Sequence, residues 1–401
     1  MKNLIKLILS IVPMVFITQM NMAQEINPSV LRNNVGNRQL VNDALLNRKM
    51  TSFNPAIHGF RFVNDFQQEI TVAGVNGPRF GGLCGGMSYA MLDYYFTKNP
   101  TPQQTFRPAT GTKLQQYIAN RQNKSVIDNA DKWLELINNP FGWRTNEFFN
   151  WGLQGFNGGR LEELKKFIDA GKPVPLGLFE AGDGGFKPHH QVIAIGYQLG
   201  KYKGDLKDHK EDFKIFICDP NFPQQIMTLV PNLADNSFYY VEDKRCKWMT
   251  YFVDKKYKSS APPFVQAPTT GPNGMVKELL VEIRTGGDDL RGGNDNVNMI
   301  VKLIDGTTQT FPNINKAARW INNYTETVSV KLKPEVALNK IKSISFITTF
   351  GGGIGGDNWN VDALRILARD GAGDREIYSQ SAKPLVRFDG NNTPFVASIA
   401  Q

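Results

Sequence analysis

Cys84 is the residue best suited to act as a nucleophile in this chain of 401 residues, which contains three cysteines and four histidines. It lies in RFGGLCGGMSYAMLDYY (79–95), between two pairs of glycines and at the start of a predicted helix. The N–H groups at a helix start favour an anion there, and therefore favour the reactive thiolate. The flanking glycines also let a substrate backbone approach the sulfur. The alternative is a small buried cysteine that serves only packing.

His190 is the matching candidate for a general base. It begins the predicted strand HQVIAIGYQ (190–198), shortly after the Gly-rich stretch AGDGG (181–185). An imidazole on a strand can take the proton of a thiol that is held on a helix. Successive side chains of a strand alternate between its faces, so His189 and His190 point in opposite directions. We expect His190 to be the base, and His189 to lie at the surface or to be a polar group of the core.

Asp219 completes the set, in the run CDPNFP (218–223) at the end of the next predicted strand. A carboxylate in this place could hold the imidazole in one tautomer. An Asp-Pro pair is also a common way to end a strand, but the order Cys, His, Asp, each at the boundary of an element, favours the catalytic interpretation. Zinc is disfavoured, because apart from the two adjacent histidines no Cys or His pair has the spacing of ligands. Cys218 and Cys246 could form a disulfide or stay free.

The segments that must position these residues change along the chain from a helical hydrophobic period to the two-residue period of strands. Helices are predicted over 87–96, 126–137 and 160–171, with Ser125 and Asp128 as a capping pair for the second. Strands are predicted over 174–180, 190–198, 212–219, 237–242 and 248–254. Helices followed by strands indicate an α+β domain, and not a doubly wound sheet.

A second domain is predicted beyond SSAPPFVQAPTTGPNG (259–274), which contains four prolines and has the composition of a linker. Strands at regular spacing follow over 276–286, 296–306, 328–333, 343–350 and 360–368. They indicate an all-β sandwich of about a hundred residues. The predicted domains are the α+β domain (60–258) and this β-sandwich with a C-terminal tail (275–401).

The amino terminus predicts export. Lys2 and Lys6 precede the apolar run LILSIVPMVFI (7–17), which is too short to span a bilayer and is typical of a signal peptide. We expect a signal peptide over 1–23, with cleavage after Ala23, and then an extended or pro-like segment over 24–59. The mature protein is therefore expected to be secreted or periplasmic.

Composition excludes several other classes of protein. A hydrophobic fraction of 41% with 21% charged residues is far from the composition of a disordered chain. The net charge of +9 comes from scattered lysines and arginines and not from a basic arm, so no nucleic-acid partner is expected.

Three segments, GGLCGGMSYAMLDYY, HHQVIAIGY and CDPNFP, together resemble a papain-like cysteine peptidase of the bacterial, exported kind, over roughly residues 60–255. The resemblance implies a helical half that carries Cys84 as nucleophile, packed against a β half that carries His190 as base and Asp219 as the orienting group. One position departs from the pattern. Papain-like enzymes usually carry a Gln about six residues before the cysteine as an oxyanion-hole donor.

Pro78 occupies that place here, with Asn76 and Arg79 nearby. Either a different side chain supplies the oxyanion-hole donor, or the backbone N–H of Cys84 provides more of the stabilisation of the oxyanion.

The segments TGGDDLRGGNDNVNMIVKLIDG (285–306) and GGDNWNVDALRIL (355–367) resemble a PLAT-type, or lipoxygenase-homology, β-sandwich. This resemblance implies docking to a lipid surface or to a partner protein. Trp359 is expected either as an exposed contact or as a tryptophan of the sandwich core. Oxygen-bearing side chains in two turns would suit Ca²⁺, although such residues are common in sharp turns: Asp288, Asp289, Asn294 and Asp295 in one turn, and Asp357, Asn358 and Asp362 in the other.

Together these features predict an exported cysteine peptidase that hydrolyses peptide or amide bonds of a peptide or protein substrate and needs no cofactor. One alternative is transfer of an acyl or amide group on a non-protein substrate by the same residues, since a fold and a triad do not determine the acyl group. Another is a non-catalytic secreted binding protein or effector with a degenerate papain-like domain, which the missing Gln favours.

Overall fold

The computed structural model describes residues 46–72, 75–180, 189–265, 274–351, 356–370, 373–391 and 393–399. The predicted signal peptide, and the part of the predicted pro-like segment before residue 46, lie outside these residues. The described chain is a mixture of helices and strands that divides into two compact units. The first unit holds the described residues up to Asn64 together with Gln68–Phe106 and Tyr117–Pro263, and the second holds Asp65–Gln67, Arg107–Gln116 and the described residues from Phe264 onward.

Six α-helices lie within the described residues: α1 (Pro55–His58), α2 (Cys84–Thr97), α3 (Lys113–Asp128), α4 (Ala130–Ile137), α5 (Thr145–Leu153) and α6 (Arg160–Ile168). Helix α2 is buried on every side from Cys84 to Tyr94, whereas the sequence pattern suggested a single buried face. Small residues make this possible: the backbone of α3 comes so close to Gly86 that a Cβ there would lie 2.1 Å from the Ile118 carbonyl oxygen. None of the described helices is long and apolar enough to cross a bilayer.

The predicted capping pair of Ser125 and Asp128 is wrong. Both residues lie in the last turn of α3, and the N-cap of α4 is Asn129. The Ser125 hydroxyl donates instead to the Gln122 carbonyl oxygen at 2.8 Å. The first three turns of α3 are rich in Gln and Asn and carry a weak apolar stripe, so the apolar period revealed only the end of this helix.

Nine strands lie in the described part of the first unit, apart from Gln67, which groups with the second unit: β1 (Arg48–Met50), β2 (Gln67–Val72), β3 (Val75–Gly81), β4 (Val174–Glu180), β5 (His190–Gln198), β6 (Lys214–Cys218), β7 (Met227–Asn232), β8 (Ser237–Tyr240) and β9 (Lys247–Val253). Seven of them form one sheet in the order β1-β5-β4-β9-β8-β7-β6. Because β6 also pairs with β5, the strands from β4 to β9 form a closed circuit. Strand β1 lies inside the segment predicted to be an extended lead-in, yet it pairs with β5.

The main core of the first unit lies between this sheet and helices α5 and α6. Apolar side chains at alternate positions of β4 and β5 point into it, which is the period expected of a strand with one face against helices. These side chains include Leu176, Leu178, Val192 and Ala194, and the helices contribute Phe149, Leu153, Leu161 and Leu164. The packing holds the first residue of β5 in a fixed place.

The second unit is a β-sandwich of two four-stranded antiparallel sheets. One sheet has the order β13-β10-β15-β16 and the other β12-β11-β14-β17. The strands are β10 (Met275–Thr285), β11 (Val297–Leu303), β12 (Thr308–Phe311), β13 (Thr325–Ala337), β14 (Ile341–Thr348), β15 (Trp359–Asp370), β16 (Gly373–Phe388) and β17 (Phe395–Ser398). Apolar residues of both sheets share one core.

Trp359 belongs to the core of this sandwich. It is 1% exposed, its ring stacks on Phe388, and its indole N–H donates to the Thr285 hydroxyl at 3.1 Å. The interpretation of Trp359 as an exposed contact is therefore wrong, and that of a core tryptophan is confirmed.

Candidate active site

Cys84 is the first residue of α2 and is 2% exposed. The turn before it depends on Gly82, whose φ of 84° is a conformation that favours glycine. Leu83 stands just outside the helix, and its N–H donates to Asn64 Oδ1 at 2.5 Å. The N–H groups of the first helical turn create a local field that favours an anion at the sulfur.

His190 is the first residue of β5, opposite Leu178 of β4, and is 4% exposed. Asp219 directly follows β6 and is 1% exposed. In the antiparallel register of β5 and β6, Ile193 lies opposite Cys218, so the end of β6 lies beside the start of β5. The pairing brings His190 Nε2 to 2.8 Å from Asp219 Oδ1.

The Asp219 carboxylate is surrounded by donors. Besides His190, the backbone N–H of Asn221 donates to Oδ1 at 2.7 Å and the Tyr240 hydroxyl donates to Oδ2 at 2.8 Å. Hydrogen bonds from several donors stabilise the ionised form of a buried carboxylate. These three hydrogen bonds hold the Asp219 carboxylate in a fixed orientation toward the imidazole.

The Cys84 thiol lies close enough to the His190 imidazole to act on it through charge and hydrogen bonding. Because Nε2 of the ring is engaged by Asp219, Nδ1 is the nitrogen left for the sulfur. Burial opposes protonation of the ring, but the charge and hydrogen bond of Asp219, aided by Cys84, outweigh it and raise the pKa of His190 to about 10. The ring is therefore protonated at neutral pH and can donate a proton.

His189 has a very different environment from that of its neighbour. Its ring stacks on Phe179, with centroids 4.0 Å apart, and on Trp133 at 5.3 Å. Burial lowers the pKa of His189 to about 3, so the ring is neutral at neutral pH. Of the two expectations for His189, surface or core, the structure shows the core.

The three predicted residues thus lie together in one buried, hydrogen-bonded cluster.

Residues 61–238 match the sequence model of the Peptidase_C39 like family. This match supports a cysteine peptidase-type domain of the papain-like class in the first unit, and it covers less than half of the chain. No curated protein matches the chain.

Solved structures that are similar to the chain match a smaller part of it. The alpha-toxin of an avian strain of Clostridium perfringens is 20% identical over 32% of this chain and 32% of its own, with a TM-score of 0.26. The alpha toxin of Clostridium absonum is 17% identical over 32% of each chain, with the same TM-score. A LOX deletion variant is 18% identical over 30% of this chain and 16% of its own, with a TM-score of 0.23. Likeness of this degree carries no argument about fold or function.

Two residues that touch the site were missed from the sequence: Asn64, inside the residues that match the Peptidase_C39 like family, and Tyr240, just beyond their end. Tyr240 lies at the end of β8, and nothing in the run SFYYVE (237–242) indicates that its hydroxyl contacts Asp219. Asn64 lies twenty residues before Cys84 in a segment without periodicity, yet it binds the N–H of Leu83. Alternation marks Tyr240 as buried, but only the pairing of strands brings it to the carboxylate.

The predicted departure from the papain-like pattern concerns Asn76, Pro78 and Arg79. All three lie in β3, and their side chains are outside what the structure describes.

A second buried polar group lies beneath the start of α2. The side-chain oxygen of Gln191 accepts a hydrogen bond from the Ser125 hydroxyl at 2.9 Å. The backbone oxygen of Gln191 accepts one from the Ser88 hydroxyl at 3.2 Å. The Gly86 N–H donates to Gln122 Oε1 at 2.8 Å. These bonds attach the first turn of α2 to both β5 and α3, which limits movement of Cys84.

Cys218 and Cys246 are both free cysteines, so the disulfide that the sequence left open is not formed in the structure. Burial, together with the Asp219 charge, raises the pKa of both thiols well above their usual range. Both therefore stay protonated and unreactive at neutral pH.

Three of the acidic residues of the second unit that suggested Ca²⁺ contact arginines instead. Asp357 is paired with Arg291 at 3.1 Å, Asp288 with Arg387 at 3.1 Å, and Asp289 with Arg319. Within the described ranges, no group of three or more His, Cys, Asp or Glu could hold a metal ion. Calcium binding stays a prediction, as does docking of the sandwich to a lipid surface or partner.

Proposed function

We propose that the first unit is a thiol hydrolase that cleaves peptide or amide bonds, with Cys84 as the nucleophile. In this proposal His190 donates and accepts the proton, and Asp219 orients the ring. The observation that supports it is the hydrogen-bonded series from Cys84 through His190 to Asp219. The papain-like arrangement, a helical half with the nucleophile and a β half with the base, is part of the proposal.

The first half of the reaction forms an acyl-enzyme. The Cys84 thiolate attacks the carbonyl carbon, and the negative oxygen of the tetrahedral intermediate accepts from the Cys84 backbone N–H at the helix start. The C–N bond then breaks while His190 Nδ1–H protonates the leaving nitrogen. The products are a free amine, a thioester on Cys84 and a neutral imidazole.

The second half of the reaction releases the acid. The neutral His190 takes a proton from water as the oxygen attacks the thioester carbon. The C–S bond breaks, the carboxylic acid leaves, and the thiolate and imidazolium are restored. Asp219 stabilises the imidazolium in each half.

The experiment compares Cys84→Ala with Cys246→Ala, a matched loss of a thiol that contacts none of the three residues through a hydrogen bond. Hydrolysis of casein and of a fluorogenic peptide library is followed, together with alkylation by iodoacetamide, a reagent small enough for a largely buried thiol. We expect Cys84→Ala to abolish hydrolysis and Cys246→Ala to retain it. Hydrolysis by Cys84→Ala at the wild-type rate would overturn the proposal.

We also propose that the protein is exported, on the strength of the basic and apolar amino terminus. Amino-terminal sequencing of the protein purified from periplasm or culture medium is expected to begin at Gln24. A protein found only in the cytoplasm with Met1 at its start would contradict this.

A further inference from the structure

Asn64 connects the two segments that carry the proposed catalytic residues, and it is 4% exposed. Its Oδ1 accepts from the N–H of Leu83, the residue before Cys84. Its Nδ2 donates to Asn221 Oδ1 at 3.1 Å, and its backbone N–H donates to the Pro220 carbonyl oxygen at 3.1 Å. One side chain therefore binds both the start of α2 and the turn that follows Asp219.

The backbone N–H of Leu83 determines how the two side-chain amides are oriented. A backbone N–H can only donate, so Asn64 must turn its Oδ1 toward Leu83 and its Nδ2 toward Asn221. Asn221 then presents Oδ1 to Asn64, which leaves its Nδ2 facing His190 Nε2 at 3.4 Å. The two amides connect the helix that carries the nucleophile to the turn beside the imidazole.

Asn221 also acts on the carboxylate through its backbone. Its N–H donates to Asp219 Oδ1, the oxygen that His190 Nε2 contacts. A displacement of the turn 219–221 would therefore move the carboxylate and, with it, the ring. Small displacements of this kind are costly, because a proton can pass only between atoms within hydrogen-bond reach.

We propose that Asn64 is a positioning residue of the hydrolase, which holds the turn 219–221 against the start of α2 and so keeps His190 within reach of Cys84. Its effect on turnover rests on the proposed function. Its effect on the pairing of thiol and imidazole does not, because that pairing can be measured by alkylation without any substrate.

The experiment uses the full chain with Asn64→Ala, Asn221→Ala and the double variant. The control is Asn139→Ala, because Asn139 likewise accepts a backbone N–H, from Arg144 at 2.7 Å, and donates from Nδ2, to Thr145 at 3.3 Å. Three quantities are measured: kcat and KM of hydrolysis, the rate of Cys84 alkylation by iodoacetamide from pH 5 to 9, and the melting temperature.

We expect Asn64→Ala to lower kcat by roughly tenfold or more with KM changed by less than about twofold, because positioning acts on the transition state. Alkylation of Cys84 below pH 7 should slow by a similar factor, since the thiolate depends on its imidazolium partner. The double variant should lose little more than the worse single variant, because both substitutions break the same bridge. Asn139→Ala should leave all the rates unchanged.

Asn64→Asp keeps the size of the side chain and the Oδ1 that binds Leu83, but loses the donor to Asn221. It should reproduce the kinetic loss at a melting temperature near that of wild type, which separates positioning from failure to fold. The inference would be overturned if Asn64→Asp kept the wild-type alkylation rate and kcat. It would also be overturned if the losses in kcat of the two single variants multiplied in the double variant. A third outcome is that the protein hydrolyses no substrate, while Cys84 is alkylated rapidly and Asn64→Ala slows this alkylation. That outcome would support the inference and contradict the proposed function.

Discussion

The start of β5 in the first unit and the acidic turns of the second unit both place carboxylates beside strand ends, but they give them different partners. At the start of β5, Asp219 faces an imidazole, an amide N–H and a phenol hydroxyl. In the acidic turns, Asp357 faces the guanidinium of Arg291. An imidazolium can give up its proton and take it back during a reaction, whereas a guanidinium cannot. A carboxylate at a turn therefore indicates chemistry only once its partner is known.

The two regions also differ in how far their charged side chains are exposed to solvent. His190 and Asp219 are both buried, so their interaction is weakly screened. In the acidic turns the carboxylates are paired with arginines that reach into solvent, and the side chain of Arg291 is 54% exposed. Burial nevertheless raises the pKa of Asp357, although Arg291 opposes it. We expect charge changes to be far more costly at the start of β5.

The strongest test of the comparison removes one histidine at a time. His190→Ala should lower kcat/KM by about 10²–10⁴-fold, the usual contribution of a general acid and base. His189→Phe keeps a ring between Phe179 and Trp133 and should retain activity within a few-fold. Steady-state kinetics of both variants tests the assignment of His190 as the base. Equal losses of kcat/KM in the two variants would contradict it.

The pH dependence of hydrolysis should follow His190. Its pKa of about 10 lies above the ordinary 6.5, so the stabilising charge pair is complete below pH 6.5 and is lost as the pH rises through about 10. We expect kcat/KM to fall over that alkaline range as the proton donor disappears. Asp219→Asn removes the carboxylate and should move the fall in kcat/KM to lower pH. An unchanged pH profile would argue against the charge pair of His190 and Asp219.

Glycines allow a comparison of packing. A Cβ on Gly86 would lie 2.1 Å from the Ile118 carbonyl oxygen, whereas a Cβ on the exposed Gly287 of the acidic turns meets nothing within 4 Å. Gly86→Ala should lower the free energy of unfolding by about 1–3 kcal/mol, the usual cost of overpacking. Gly287→Ala should stay within about 0.5 kcal/mol of wild type. Urea denaturation of the full chain measures both, and similar values would contradict the close helix contact.

The smallest effect is expected from calcium. Because arginines pair with Asp288, Asp289 and Asp357, millimolar Ca²⁺ should change the melting temperature of the full chain very little. A clear rise that Asp357→Asn removes would show instead that the acidic turns bind metal.

Local patterns in the sequence predicted some elements closely and others not at all. The strand predicted over 174–180 matches β4 at both of its ends, because its β-rich run is bounded by turn-forming Gly and Pro residues. Strands β1, β2, β3, β7, β12, β16 and β17 were not predicted. Long or solvent-facing strands such as β16 take their pairing from neighbours and carry little apolar alternation of their own.

The sequence by itself determined which side chains were available for chemistry. With three cysteines and four histidines in the chain, residue type and position at element boundaries were enough to select Cys84, His190 and Asp219. Their hydrogen-bonding partners could not be found in this way. Asn64 and Asn221 lie 157 residues apart and meet only because β6 pairs with β5 and the turn after it folds back to the start of α2. Local spacing records the geometry of one helix or strand, whereas contacts between distant segments exist only after the whole unit has packed.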